Sequence, residues 1–232
     1  MRVRAVFFDV GETLVHPAPS FAERFAAVLA REGVARPLDA VVAASAVVGD
    51  RFLEAARAEE RWTTSPERSA RFWLDVYARM LERLGLPSSD GLRDLLYREF
   101  TDPASYELFE DVVPTLDALG DRGALLGIVS NFEAWLEDLL ERLGVRERFP
   151  VRVISGIEGV EKPDPALWRR ALERAGIEPE AAAFVGDSPA LDVEPAAALG
   201  MRAVLIDRRG RFPDHAGLSV TDLRELPALL EA

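Results

Sequence analysis

Four polar clusters in this 232-residue chain each close an apolar run or open a helix. Asp9 follows Ala5-Val6-Phe7-Phe8 and leads into the loop Val10-Gly11-Glu12-Thr13. Ser130-Asn131 follows Leu125-Leu126-Gly127-Ile128-Val129, and Gly186-Asp187-Ser188 follows Ala182-Ala183-Phe184-Val185, with Asp192 shortly after. Lys162, the only lysine in the chain, lies in Glu161-Lys162-Pro163-Asp164-Pro165, just ahead of a helical pattern. Two or more carboxylates in one place need a cation to neutralise them, and an all-oxygen site suits magnesium. A hydroxyl, helix-start amides and an ammonium together hold a phosphate. An aspartate, a metal, a lysine and a hydroxyl around one point equip a site for phosphoryl transfer to a carboxylate. Each stretch alone is ambiguous, since an Asp-x-Gly sequence also opens ordinary solvated turns.

The elements between these clusters decide whether they can meet. The first apolar run reads as a strand buried on both faces, as parallel sheets require. After Val15 the pattern turns helical for about eighty residues. Ser20 and Glu23 form a capping box ahead of Phe21, Phe25, Val28 and Leu29, and Gly33 closes that helix. A second helical stretch covers about 38–61, and Ser65-Pro66 opens a third. In that third helix Phe72, Trp73, Val76, Tyr77, Met80, Leu81 and Leu84 recur at helical spacing up to Gly85, and a fourth covers about 90–100. The aromatic residues of this insert read as the core of a small helical bundle rather than as a substrate pocket. From about 111 onward strands and helices alternate: strands at 125–130, 151–154, 182–185 and 203–206, and helices after each, with Asn131 expected to cap the helix that ends before Gly144. The expected fold is α/β, a Rossmann-like doubly wound parallel sheet (residues 1–15 and 102–232) with an inserted all-helical cap (16–101). In such a sheet the crevice beyond the carboxyl ends of the strands is the ligand site, which brings all four clusters to one rim.

Composition narrows the function. A formal charge of −12 excludes nucleic acid and anionic membrane as main partners, since both need clustered basic surface. The absence of cysteine excludes disulfides, thiolate metal sites and thiol catalysis. Two histidines, His16 and His215, are too few for a histidine-built metal site. No stretch has the length of a membrane span, and the apolar run at the start is too short for a signal peptide, so a cytoplasmic protein is expected. Oligomeric state leaves no trace in the sequence.

In their order and spacing the four segments resemble the motifs of the haloacid dehalogenase-like hydrolase superfamily, with the helical insert matching that family's helical cap. Val129-Ser130-Asn131-Phe132 and the stretch around Lys162-Pro163-Asp164-Pro165 are similar to its phosphatase-like members. The resemblance implies a hydrolase acting on a small phosphorylated metabolite, with Asp9 forming an aspartyl-phosphate. It implies that Asp9, the Gly11 backbone carbonyl and Asp187 hold magnesium with Asp192 in support. It also implies that Ser130, Asn131 and Lys162 bind the substrate's phosphoryl group.

One departure stands against this agreement. Phosphatases of the family carry a second aspartate two residues after the nucleophile, as general acid and base, and here that position is Gly11. Glu12 follows, where the family usually has glycine. Positioned proton transfer is worth about 10²–10⁴ in rate. The site is therefore expected to be slow, confined to good leaving groups, or rescued by Glu12. The competing readings are a family member that only binds a phosphorylated ligand or partner, and a haloacid dehalogenase. Retained Asp187 and Asp192 disfavour the second. The absence of lysine from the insert removes a Schiff-base chemistry of the phosphonoacetaldehyde hydrolase kind.

Overall fold

Ala5-Val6-Phe7-Phe8 carries no polar side chain on either face, and as strand β1 (Ala5–Phe8) all four residues are fully buried. A computed structural model describes residues 3–231. After β1 come β2 (Val15–Pro17), then helices α1 (Phe21–Arg31), α2 (Leu38–Ala44), α3 (Ala46–Arg57), α4 (Pro66–Arg83) and α5 (Asp90–Thr101). The chain continues through β3 (Tyr106–Leu108), α6 (Val112–Asp121), β4 (Leu125–Ser130), α7 (Leu136–Arg142), β5 (Val151–Ile154), α8 (Ser155–Glu158) and α9 (Ala166–Ala175). It ends with β6 (Ala182–Gly186), α10 (Glu194–Ala198), β7 (Arg202–Ile206), β8 (Leu218–Val220) and α11 (Leu226–Leu229).

The chain divides into two compact units, residues 1–15 with 108–232, and residues 16–107. The first unit holds a six-stranded sheet in the order β5-β4-β1-β6-β7-β8 with every pairing parallel. The chain builds outward from β1 to β4 and β5, then returns to the other side of β1 with β6. A strand order that reverses in this way opens a crevice at the carboxyl ends of the strands flanking the reversal. Register makes the crevice specific. Phe8 is level with Ile128 on β4 and with Val185 on β6, so Asp9, Ser130 and Asp187 all emerge on the same rim. Phe7 and Phe184 pack with Trp168 in the core beneath the sheet. Gly127 lets Phe7 lie flat there, since a Cβ on it would stand 2.5 Å from the Phe7 ring.

The second unit is a helical bundle with its own core of Phe25, Phe72, Val76, Tyr77 and Met80. Ser20, Ser65 and Ser89 cap α1, α4 and α5 through their side chains. The second helical stretch of the sequence is divided at Ser45, whose hydroxyl donates to the Val42 carbonyl at 2.7 Å, a local bond that bends a helix. The unit ends at residue 107, later than the 101 read from the sequence. Ser105 Oγ donates to the Glu99 carbonyl and Tyr106 Oη to the Phe100 carbonyl, which tie the segment after α5 back to its own helix. Strands β2 and β3 pair as a two-stranded sheet, and both unit boundaries fall within them. No described helix is long and apolar enough to cross a membrane.

Candidate active site

Asp9 leaves β1 with its backbone N–H still donating to the Val185 carbonyl at 2.9 Å, so the strand's pairing fixes where the carboxylate begins. Two donors then fix its orientation. Ser130 Oγ donates to Asp9 Oδ1 at 2.9 Å, and Lys162 Nζ donates to the same oxygen at 2.7 Å. Lys162 also donates to Asp192 Oδ1 at 2.5 Å, and its side chain is only 3 % exposed. Burial alone works against its ammonium, but the charges of Asp192 and then Asp9 outweigh it and hold its pKa above the ordinary value.

The lysine is placed by its backbone. Asn131 Oδ1 accepts the Lys162 N–H at 2.7 Å, and Asn131 Nδ2 donates to the Lys162 carbonyl at 3.0 Å. Asn131 therefore does not cap α7, which starts at Leu136 without a side-chain cap. Its amide joins the end of β4 to the lysine loop. A second tie runs beside it: Ser155 Oγ accepts the Phe132 N–H at 3.0 Å and donates to the Phe132 carbonyl at 3.1 Å.

Asp192 is buried and is held through both of its carboxylate oxygens. Its Oδ2 accepts the Ser188 N–H at 3.0 Å, opposite the lysine on Oδ1. Gly186 makes room for it, since a Cβ there would stand 2.4 Å from Asp192 Cγ. Carboxylate oxygens of Asp9, Asp187 and Asp192 lie within 4.8 Å of one another. Burial, opposed by Lys162 and reinforced by Asp9 and Asp187, pushes Asp192 up to about 7. Burial and the charge of Asp9 push Asp187 up to about 6, against the opposing pull of Arg211. Three carboxylates facing one ammonium leave an excess of negative charge, which adds to burial in raising the Asp187 and Asp192 pKa values. An all-oxygen donor set with that excess fits a hard divalent cation.

The loop after Asp9 has a different character. Gly11 lies outside the left-handed backbone region, and a Cβ on it would meet no atom within 4 Å. Neither conformation nor space therefore requires glycine there. Glu12 does adopt a left-handed φ of 56°, which costs a non-glycine residue about 1–2 kcal/mol. Its carboxylate pairs with Arg209 Nη2 at 2.8 Å. Thr13, buried four residues after Asp9, makes a long contact of 3.5 Å from Oγ1 to Asp9 Oδ2. Arg211 Nη2 donates to Asp187 Oδ2 at 2.8 Å. Sequence reading singled out neither Thr13 nor these arginines. The threonine's spacing from Asp9 was the only local signal for any of them.

Residues 3–200 match the family described as haloacid dehalogenase-like hydrolase. The chain belongs to that family. It is 32 % identical over 214 residues to the mouse haloacid dehalogenase-like hydrolase domain-containing protein 3, spanning 89 % of this chain and 82 % of that one. It is 34 % identical over 187 residues to a phosphoserine phosphatase of Thermus thermophilus, spanning 77 % of this chain and 74 % of the relative. Among solved structures, the HAD-hydrolase YfnB of Bacillus subtilis superposes with a TM-score of 0.81 over all of both chains at 17 % identity. This haloacid dehalogenase-like hydrolase thus shares its fold with a relative whose sequence has diverged widely.

Proposed function

We propose that this hydrolase is a phosphohydrolase of small phosphorylated metabolites, working through an aspartyl-phosphate on Asp9 and confined to good leaving groups. The observation that carries it is the convergence of Ser130 and Lys162 on one oxygen of Asp9, with Asp187 and Asp192 alongside. Its relatives include the phosphoserine phosphatase above. Asp9, Asp187 and the Gly11 carbonyl, with Asp192 behind them, would hold magnesium, which when bound supplies positive charge against the transferring phosphoryl group.

A carboxylate oxygen of Asp9 forms the new bond to phosphorus as the bond from phosphorus to the leaving oxygen breaks. Lys162 and Ser130 hold the attacking carboxylate in one orientation and face the phosphoryl oxygens, where charge builds. Asn131 acts by positioning the lysine rather than by touching substrate. Water then attacks phosphorus, releasing inorganic phosphate and restoring Asp9.

Both steps need a proton moved, from an acid to the leaving oxygen and from the water to a base. Nothing at Gly11 can do so. Glu12 is a poor substitute while its carboxylate is engaged in the ion pair with Arg209 at 2.8 Å, turned to a partner other than the substrate. Acyl and aryl phosphates, whose leaving groups depart without protonation, are the substrates this arrangement suits. The helical unit serves as the cap that selects among them, and a cytoplasmic location belongs to the same reading.

Phosphate release from acetyl phosphate, p-nitrophenyl phosphate and an alkyl phosphate, with and without magnesium, tests the proposal. Turnover of the first two only, dependent on magnesium and lost in Asp9→Asn, is the expected result. Full turnover by Asp9→Asn contradicts it. Binding of phosphorylated ligands without any release would make the chain a binder instead.

A further inference from the structure

The six residues after β7, Asp207-Arg208-Arg209-Gly210-Arg211-Phe212, form a turn whose three arginines point to three different tasks. The turn is internally braced. The Asp207 carboxylate accepts the N–H of Arg211 at 2.8 Å and of Phe212 at 2.9 Å, and Gly210 takes the left-handed φ of 63° that the reversal needs. Arg208 is the anchor. It grips Asp111 with two hydrogen bonds of 2.8 and 3.0 Å, donates to the Thr13 carbonyl at 2.8 Å, and stacks 3.8 Å over the Phe109 ring. Since Thr13 belongs to the loop that follows Asp9, the turn is fastened to the nucleophile's own loop.

Arg209 and Arg211 are left at the rim. Their side chains are 66 % and 49 % exposed, and each reaches a carboxylate of the site, Glu12 and Asp187 respectively. In a chain of net charge −12 this is a local concentration of positive charge at the mouth of an acidic site. The charge count bears on its role. Asp9, Asp187 and Asp192 contribute three negative charges and Lys162 one positive, a sum of −2 that a divalent cation cancels. Once Asp187 serves such a cation, the Arg211 guanidinium is surplus beside a neutralised site. A guanidinium presents a planar fork matched to a carboxylate or phosphate, and here the fork is held on a braced turn, so little freedom is lost on binding.

We infer that Arg211, backed by Arg209, recognises a second acidic group on the substrate, so that the preferred substrates are phosphorylated acids rather than phosphorylated neutral alcohols. This rests on the phosphohydrolase reading and narrows its substrate class.

The test compares ligands that cannot be hydrolysed and differ only in that group: phosphonoacetate against its neutral amide, with methylenebisphosphonate to distinguish a second phosphoryl group from a carboxylate. Affinities are read by calorimetry at fixed free magnesium and by competition against p-nitrophenyl phosphate turnover. The natural chain is expected to bind one of the dianionic ligands about 10- to 100-fold more tightly than the amide, the range a charge-assisted hydrogen bond supplies. Arg211→Gln should erase that preference while leaving affinity for the amide in place. Arg209→Gln should reduce it less, and Arg211→Lys should restore part of it. Equal binding of acid and amide by the natural chain overturns the inference. Equal loss of both in Arg211→Gln also overturns it, because that result makes Arg211 a support for Asp187. If p-nitrophenyl phosphate is not turned over at all, the phosphohydrolase reading fails, and calorimetry still decides the inference alone.

Discussion

The two sides of the site are built to different standards. On one side Lys162 and Asp192 have side chains 3 % and 2 % exposed, each charge meets an opposite charge, and Asn131 fixes the lysine backbone at both ends. On the other, Gly11 presents no side chain, Glu12 is held in a left-handed conformation, and the ion pairs to Arg209 and Arg211 are open to water. Buried pairs of fixed geometry are preorganised, whereas exposed pairs are exchangeable and individually worth little. In the proposed function the first side holds the nucleophile and the phosphoryl group. The second lacks what would move a proton, and its charges are free to change partners. Under the proposed function, phosphoryl binding falls to the buried side and proton transfer is the function the exposed side is missing.

The sharpest way to break the contrast is to damage the buried side. Lys162→Met leaves Asp9, Asp187 and Asp192 with no ammonium among them. Removing one partner of a buried charge cluster costs about 3–5 kcal/mol, so denaturant unfolding should show a loss of that order, together with loss of phosphate release. Gly186→Ala should come next, because its methyl group enters the space of Asp192. About 1–3 kcal/mol of stability is expected to go, with weaker magnesium dependence of turnover as the sign that Asp192 has moved.

The pH dependence of stability gives a third test. In the metal-free protein Asp187 and Asp192 have pKa values of about 6 and about 7, above the ordinary value of 3.8. The folded state then binds more protons than the unfolded state between about pH 4 and 7, and these two groups make stability fall as pH rises through that window. A divalent cation should reverse this, so the rise in Tm on adding magnesium should be larger at pH 8 than at pH 5. An equal rise at both would show that the carboxylates do not take the ion. The smallest effect belongs to the exposed side. Glu12→Gly removes a surface ion pair and a left-handed side-chain penalty together, so stability should stay level or rise by about 1 kcal/mol, with turnover of aryl phosphates nearly unchanged.

Much of this was legible from sequence, for a definite reason. Short apolar runs alternating with helical patterns read together as buried parallel strands, so the ends of β1, β4 and β6, and the polar residues on them, were placed by the strands. The helical insert was equally plain from Phe72, Tyr77 and Met80, which pack in its core. What escaped was carried by contacts between distant residues. Asn131 has a local reading as a helix cap, but its partners lie 31 residues away on Lys162. Arg209 and Arg211 follow the last long strand like ordinary surface charge, and Glu12 is 197 residues from its arginine. Short strands such as β2, β3 and β8, each three residues, carry too little pattern to be seen.

The division of labour is tested most directly by putting the missing carboxylate back. Gly11 has room for a side chain and a backbone conformation that accepts one. Turnover of an alkyl phosphate should therefore be measured for Gly11→Asp against the natural chain, in saturating magnesium. If the buried side is complete and only proton transfer is wanting, the variant should gain about 10²–10⁴ on the alkyl ester and far less on acetyl phosphate. If the natural chain already hydrolyses the alkyl ester as fast as acetyl phosphate, and Glu12→Gln stops it, proton transfer was never missing and the account is wrong.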